Sequence, residues 1–405
     1  MKRVGFLALA ALVLTATVGV SAARADGDGP KVTPEMRLFL DYTYNISGYE
    51  DYDPRFDDND TNSFNVTRTY LGLKAKLSDD WSARVTFDSR PGETVSYTTT
   101  TLPATTDTNG DGTVDANDEG TEVISGATSS RTDRPEVFVK FAYLTYQPIP
   151  EIGGTFGLQP SSHATVYKLW KHRYIRNEAM FEHGMVRTGP SDTGVAVHGS
   201  FPKGFGGWKA GVFNGEGVGR QEANSGKHAQ AAAYVNALAG VKDAGELNIM
   251  GMAGYGKVET NHPDVVDTYY GGILNYAYPF SDSMSLALYG EYGMRTVEEE
   301  LDGVDPVDST VLAAWLEFQF CKQWGLLVYY DDFDPNTEND EGTGVGYQDE
   351  ESTILAGIWY YPLKEIKFNL NYRATSYTAE IVDDNGDDVT KQADQFITLN
   401  TEVVF

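Results

Sequence analysis

Residues 364–377 read Lys-Glu-Ile-Lys-Phe-Asn-Leu-Asn-Tyr-Arg-Ala-Thr-Ser-Tyr. On an extended chain Ile366, Phe368, Leu370 and Tyr372 project to one side, and Lys367, Asn369, Asn371 and Arg373 to the other. The run just before it, 352–361, is also strand-like, and only Pro362-Leu363 separates the two. The alternation recurs along the chain. Trp81, Ala83, Val85 and Phe87 interleave with Ser82, Arg84, Thr86 and Asp88, and Ile397, Leu399, Thr401, Val403 and Phe405 with Thr398, Asn400 and Glu402. A sandwich alternates too, but with shorter strands and an inward apolar face.

Sixteen such runs lie near 35–47, 64–77, 80–89, 137–148, 153–159, 184–201, 206–215, 229–240, 245–256, 268–279, 283–295, 309–320, 323–330, 352–361, 364–377 and 395–405. Their connections alternate in length. Ser78-Asp79, Phe280-Ser281-Asp282, Cys321-Lys322 and Pro362-Leu363 are short, whereas 48–63, 90–136, 160–183, 216–228, 257–267, 296–308, 331–351 and 378–394 are long and polar. Short turn, long loop, short turn is the pattern of a transmembrane, antiparallel up-and-down β-barrel of about sixteen strands, closed so that no backbone polar group faces lipid. Lipid-facing positions are then Val, Leu, Ile, Phe and Ala, and lumen positions polar; Tyr329-Tyr330, Trp359-Tyr360-Tyr361 and Tyr276–Tyr278 are expected to form interfacial belts.

Lys2 and Arg3, the apolar run Val4–Val20 and Ala23-Arg24-Ala25 form a secretory signal over 1–25, leaving 26–405 as the outer-membrane β-barrel. The whole chain carries 59 acids against 31 Lys and Arg, a net charge of −28, which argues against nucleic-acid partners. The single Cys excludes an intramolecular disulfide. No G-x-S-x-G or H-E-x-x-H occurs, so the sequence points away from an enzyme.

The terminal Phe405 resembles the assembly signal of Gram-negative outer-membrane porins. The run Arg68–Leu77 followed by Asp80–Arg84, and Phe141–Tyr146, resemble segments of the phosphate-selective porin group. That resemblance implies a homotrimeric channel for ions and small hydrophilic solutes, seated in outer-membrane lipid and lipopolysaccharide, with its third loop folded inward. The alternative is a calcium-binding, adhesin-like β-protein of the outer membrane or secreted.

Nearly all of the acidity lies in the long segments; 331–351 alone holds nine acids and no base. The third segment is the exception, with Lys168, Lys171, Arg173 and Arg176 beside His172 and only Glu178 and Glu182 opposing. Folded inward, these residues form a positive constriction that favours anions, and Arg68, Lys74, Arg84, Lys140 and Arg187 are expected to line the lumen. The same bases have a second reading: paired with wall carboxylates, they merely pin the loop. Finally, Asp107, Asn109, Asp111, Thr113, Asp115 and Asp118 have the spacing of a calcium loop, with Gly112 at the sharp turn. Asp118 replaces the usual Glu, and Ca²⁺ there is expected to be structural. Asp383, Asn385, Asp387 and Asp394 repeat the spacing less well.

Overall fold

A computed structural model describes residues 30–47, 62–101, 122–186, 188–217, 226–257, 265–299, 306–337, 350–378, 380–382, 388–390 and 393–405. The described residues form one closed barrel of sixteen strands, each antiparallel to its neighbours. In chain order these are β1 (Lys31–Ser47), β2 (Asn62–Lys76), β3 (Trp81–Thr101), β4 (Glu122–Ile149), β5 (Ile152–Pro160), β6 (Ser191–Phe201), β7 (Gly206–Phe213) and β8 (His228–Asn236). There follow β9 (Glu246–Lys257), β10 (Val265–Ser281), β11 (Met284–Glu299), β12 (Val307–Cys321), β13 (Trp324–Asp334), β14 (Glu351–Leu363) and β15 (Ile366–Tyr377). A small external hairpin, β16 (Glu380–Val382) and β17 (Asp388–Thr390), precedes the last barrel strand, β18 (Asp394–Val404). β18 pairs with β1, and beyond it the Phe405 N–H donates to the Met36 carbonyl at 2.9 Å, so the seam is hydrogen-bonded to the final residue. Among the described residues no helix is long and apolar enough to cross a membrane.

Period-two burial follows the sequence alternation. On β13, Leu326, Val328 and Tyr330 are 48%, 45% and 43% exposed on the outside, whereas Leu327, Tyr329 and Asp331 between them are at most 1% exposed. Outward aromatics gather at the end where the short turns lie: Trp81 against Tyr146, Trp324 against Tyr360, and Tyr278 against Phe280.

Three departures from the sequence reading have physical causes. The ladder of β3 and β4 continues to Thr101 and Glu122, so most of 90–136 is strand; Thr98–Thr101 has the β-branched residues a strand favours but none of the apolar alternation that marks a lipid face. β6 begins at Ser191 rather than at 184, because Gly184 and Gly189 both adopt a left-handed backbone (φ +65°) that interrupts extended chain. Third, the tyrosine and tryptophan runs do not all belong to the belt. Tyr329, Trp359 and Tyr361 point inward, and what they meet there positions the site.

Candidate channel constriction

The chain between β5 and β6, residues 161–190, folds into the barrel. Its neck is closed by the Ser161 N–H on the Pro190 carbonyl at 3.1 Å, and by Ser162 N–H on Gln230 Oε1 at 3.0 Å. Two short helical turns follow, a 3₁₀ turn at His163–Lys168 and α1 (Ala179–Glu182). Four residues cannot hold themselves as a helix. The wall does it: Glu291 of β11 accepts the N–H groups of Ala179 at 3.1 Å and Met180 at 3.0 Å.

One face of the loop is apolar and seals against β8–β14. Val166, Leu169, Trp170, Met180 and Met185 pack with Met250, Tyr269, Tyr289, Trp315, Tyr329 and Trp359. Trp170 lies 4.9 Å from Tyr289 and 5.0 Å from Trp315, ring centre to ring centre, and donates its indole N–H to the Arg176 carbonyl at 3.0 Å. Met180 seats in a notch made by Gly271 and Gly293, which face each other across β10 and β11. A Cβ at Gly293 would stand 2.5 Å from Met180 Cγ, and one at Gly271 2.6 Å from its sulfur. Burying this much apolar surface supplies the main attraction, since each large side chain removed from water contributes about 1.5–3 kcal/mol.

Polar anchors fix the register. Asp331, fully buried, accepts from Arg176 at 2.7 Å, Tyr329 at 2.6 Å and His183 Nε2 at 3.3 Å. His183 Nδ1 reaches Glu351 at 2.7 Å. Burial pushes the His183 imidazole down, but hydrogen bonds and charge from Asp331 and Glu351 outweigh it and lift it to about 9. His172 meets Glu317 at 2.7 Å and stacks on Trp315. Deepest of all, His163 and Glu178 lie 3.5 Å apart with no exposure. Burial drops the imidazole to about 3 and raises the carboxyl well above its usual range, helped by the charge of Glu291.

Between the loop and the opposite wall, β1–β4 with β15 and β18, lies open space that forms the candidate passage. It comprises a cavity of about 320 Å³ and another of about 570 Å³, which share Arg37, Tyr167, Arg173 and Val404. On this wall three acids are each flanked by two bases, and Glu365 meets Lys364 at 3.2 Å. Glu35 binds Lys74 at 2.5 Å and also Arg84; Asp88 binds Lys140 at 3.1 Å and Arg68 at 3.3 Å; Glu402 binds Lys367 at 2.6 Å and Arg37 at 3.3 Å. A β-bulge makes the second of these clusters possible. Phe141 pairs with Thr86 and Val139 with Phe87, so Lys140 is the extra residue and turns inward onto Asp88 and the Tyr70 hydroxyl. From the loop side Lys171 and Arg173 border the passage. Arg173 lies 4.0 Å over the Tyr167 ring and donates to Tyr70 Oη at 3.3 Å.

The five loop residues expected to form one positive rim therefore separate. Lys171 and Arg173 border the passage, Lys168 is exposed but lines neither cavity, and His172 and Arg176 are tied to Glu317 and Asp331 on the wall. For those two, pinning is the role the geometry shows. Lys74, Arg84 and Lys140 line the first cavity, and Arg68 sits beside it on Asp88. Arg187, the segment Asp107–Asp118 and Asp383, Asn385 and Asp387 lie outside the described residues; Asp394 accepts from the Tyr377 hydroxyl at 2.6 Å. Arg37 and Lys367 were missed as pore residues, although Lys367 stands on the polar side of the very run that revealed the barrel.

Solved structures with this architecture include the outer-membrane protein OmpT of Vibrio cholerae in its trimer form (13% identical, TM-score 0.56, 93% of this chain and 100% of that one). This is a porin fold. The outer-membrane channel DcaP of Acinetobacter baumannii (15% identity, TM-score 0.53, 94% and 99% covered) and the anion-selective porin from Comamonas acidovorans (9%, 0.54, 93% and 100%) are similar to it as well. No family model and no curated sequence matches the chain. Likeness at these identities concerns the fold; none of these structures singles out the phosphate-selective group.

Proposed function

We propose that the chain is an outer-membrane porin, a passive diffusion channel for ions and small hydrophilic solutes, with a preference for anions. The carrying observation is the excess of bases over acids on the passage wall, seven against four, with Lys171 and Arg173 added from the loop. A narrow, low-dielectric passage focuses that excess, so local charge outweighs the net −28 of the whole chain. A homotrimer is part of the same proposal, on the analogy of the trimeric Vibrio relative, and so is a structural Ca²⁺ at Asp107–Asp118, which rests on ligand spacing alone. Acidic loops bridged by divalent cations to lipid phosphates would complete the outer surface.

Reversal potential across a planar bilayer in a salt gradient tests the reading. Anion preference is expected, and the double variant Lys171→Glu with Arg173→Glu should weaken or invert it. Clear cation preference of the unaltered protein would overturn the anion assignment, and failure to conduct at all would overturn the channel.

A further inference from the structure

We propose that the smaller cavity, between β1–β4 and the third loop, is a binding subsite for small carboxylates with a ring-sized apolar body, of which benzoate is the simplest. The inference rests on the channel reading above and specifies which solute its narrow part prefers. At about 320 Å³ the cavity lies at the lower end of the range for small-molecule sites, roughly 300–1,000 Å³.

Three observations converge on that class. First, the wall already holds a carboxylate in this place. Glu35, about a quarter exposed, is shared by Lys74 and Arg84, so one carboxylate meets two cations and a net positive charge remains there for a solute. Second, Arg173 has no carboxylate partner among the described residues. One of its N–H groups reaches Tyr70, while its Nε is buried without an acceptor. The part of the guanidinium that borders the cavity is where a solute carboxylate would supply the missing counter-charge. Third, part of the lining is apolar: Met36, Phe141, Ala164 and Tyr167 border the same space. A hydrated inorganic anion gains nothing from those walls, whereas an organic one covers them. The guanidinium of Arg173 lies over Tyr167, and that of Arg84 lies 4.9 Å over Phe141. Flat cations backed by rings favour a flat ligand body over an aliphatic one.

The test is chloride current through single channels in planar bilayers, titrated separately with sodium benzoate, sodium acetate and inorganic phosphate. Benzoate is expected to halve the current at a concentration at least about tenfold below acetate or phosphate, and Arg173→Gln to raise that benzoate concentration about tenfold, as befits loss of a charged hydrogen bond. Phe141→Leu should narrow the gap between benzoate and acetate by weakening benzoate more than acetate. Should Arg173→Gln fail to insert, Arg84→Gln reads the same site. Equal action of benzoate and acetate on an anion-preferring channel would overturn the subsite and leave the channel reading standing. Equal action of benzoate and phosphate, or no effect of either arginine variant, would do the same. A cation-preferring or non-conducting barrel would defeat the underlying reading instead.

Discussion

Asp331 ties two side chains of the third loop, Arg176 and His183, to the wall. It is fully buried and accepts from an arginine, a tyrosine and a histidine at once. Asp331→Asn takes from buried Arg176 the shorter of its two carboxylate contacts, leaving Glu182 at 3.7 Å, so the cost falls below the about 3–5 kcal/mol of a buried charge left wholly unpaired. The expected result is a lower temperature for converting the folded, heat-modifiable form on a gel, with flickering conductance as the loop loosens. Titration acts at the same anchors. His183 is held at about 9 against 6.5 for a free imidazole, so its stabilisation is complete below pH 6.5 and is lost as pH rises through about 9. That contribution is on the order of 3 kcal/mol. Glu178, raised by burial and by Glu291, loses stabilisation as pH rises above its ordinary 4.5. His163, lowered to about 3 by burial, works in the other direction, because an unfolded chain takes up its proton as pH falls below 6.5. Conversion temperature should therefore peak on the mildly acidic side, at or below about pH 6.5, with a shallower alkaline arm in His183→Gln. An unchanged alkaline arm in that variant would remove His183 from the account.

At the scale of elements, the third loop is a plug segment that owes its shape to the wall. Its helical turns are too short to stand alone, so a carboxylate on β11 and a glycine notch across β10 and β11 supply what the loop lacks. Gly293→Leu fills the notch and displaces Met180. Met180→Ala empties it, at about 2–5 kcal/mol for a buried methionine. The leucine variant is expected to insert normally but to show larger or noisier single-channel conductance; a trace identical to the unaltered protein would mean that the loop is held elsewhere. The barrel strands were legible because lipid and lumen impose a strict period of two on every residue. The loop was legible only in its charge. Nothing in Trp170 or Met180 announces a partner, since a buried contact far apart in sequence leaves no local pattern.

For the whole molecule, charge is sorted by place: acidic in the long segments and basic along one side of the passage. Fixed charge in the passage is screened over a Debye length of about 10 Å at 0.1 M salt, so anion preference should decline as salt rises toward molar concentrations; a preference insensitive to salt would point to size rather than charge. The acid-rich segment with calcium spacing makes a separate prediction. Asp107→Asn with Asp111→Asn, or a calcium chelator, should speed protease cleavage within 102–121 and leave the barrel band intact. Equal cleavage with and without Ca²⁺ would reduce that segment to a solvated acidic loop.

The sequence by itself determined the closed barrel, its strand number to within the described residues, and which face of most strands meets lipid, because those features repeat every second residue and need no knowledge of distant contacts. It also marked the third loop as the basic exception. Tertiary structure alone decided which of those bases remain at the passage. Arg176 and His172 go to wall carboxylates more than 140 positions away in the chain, and inward aromatics that look like belt residues become the loop's seat. The physical reason is that a side chain's charge is a local property, whereas its effect on a solute depends on the opposite charge the fold places beside it.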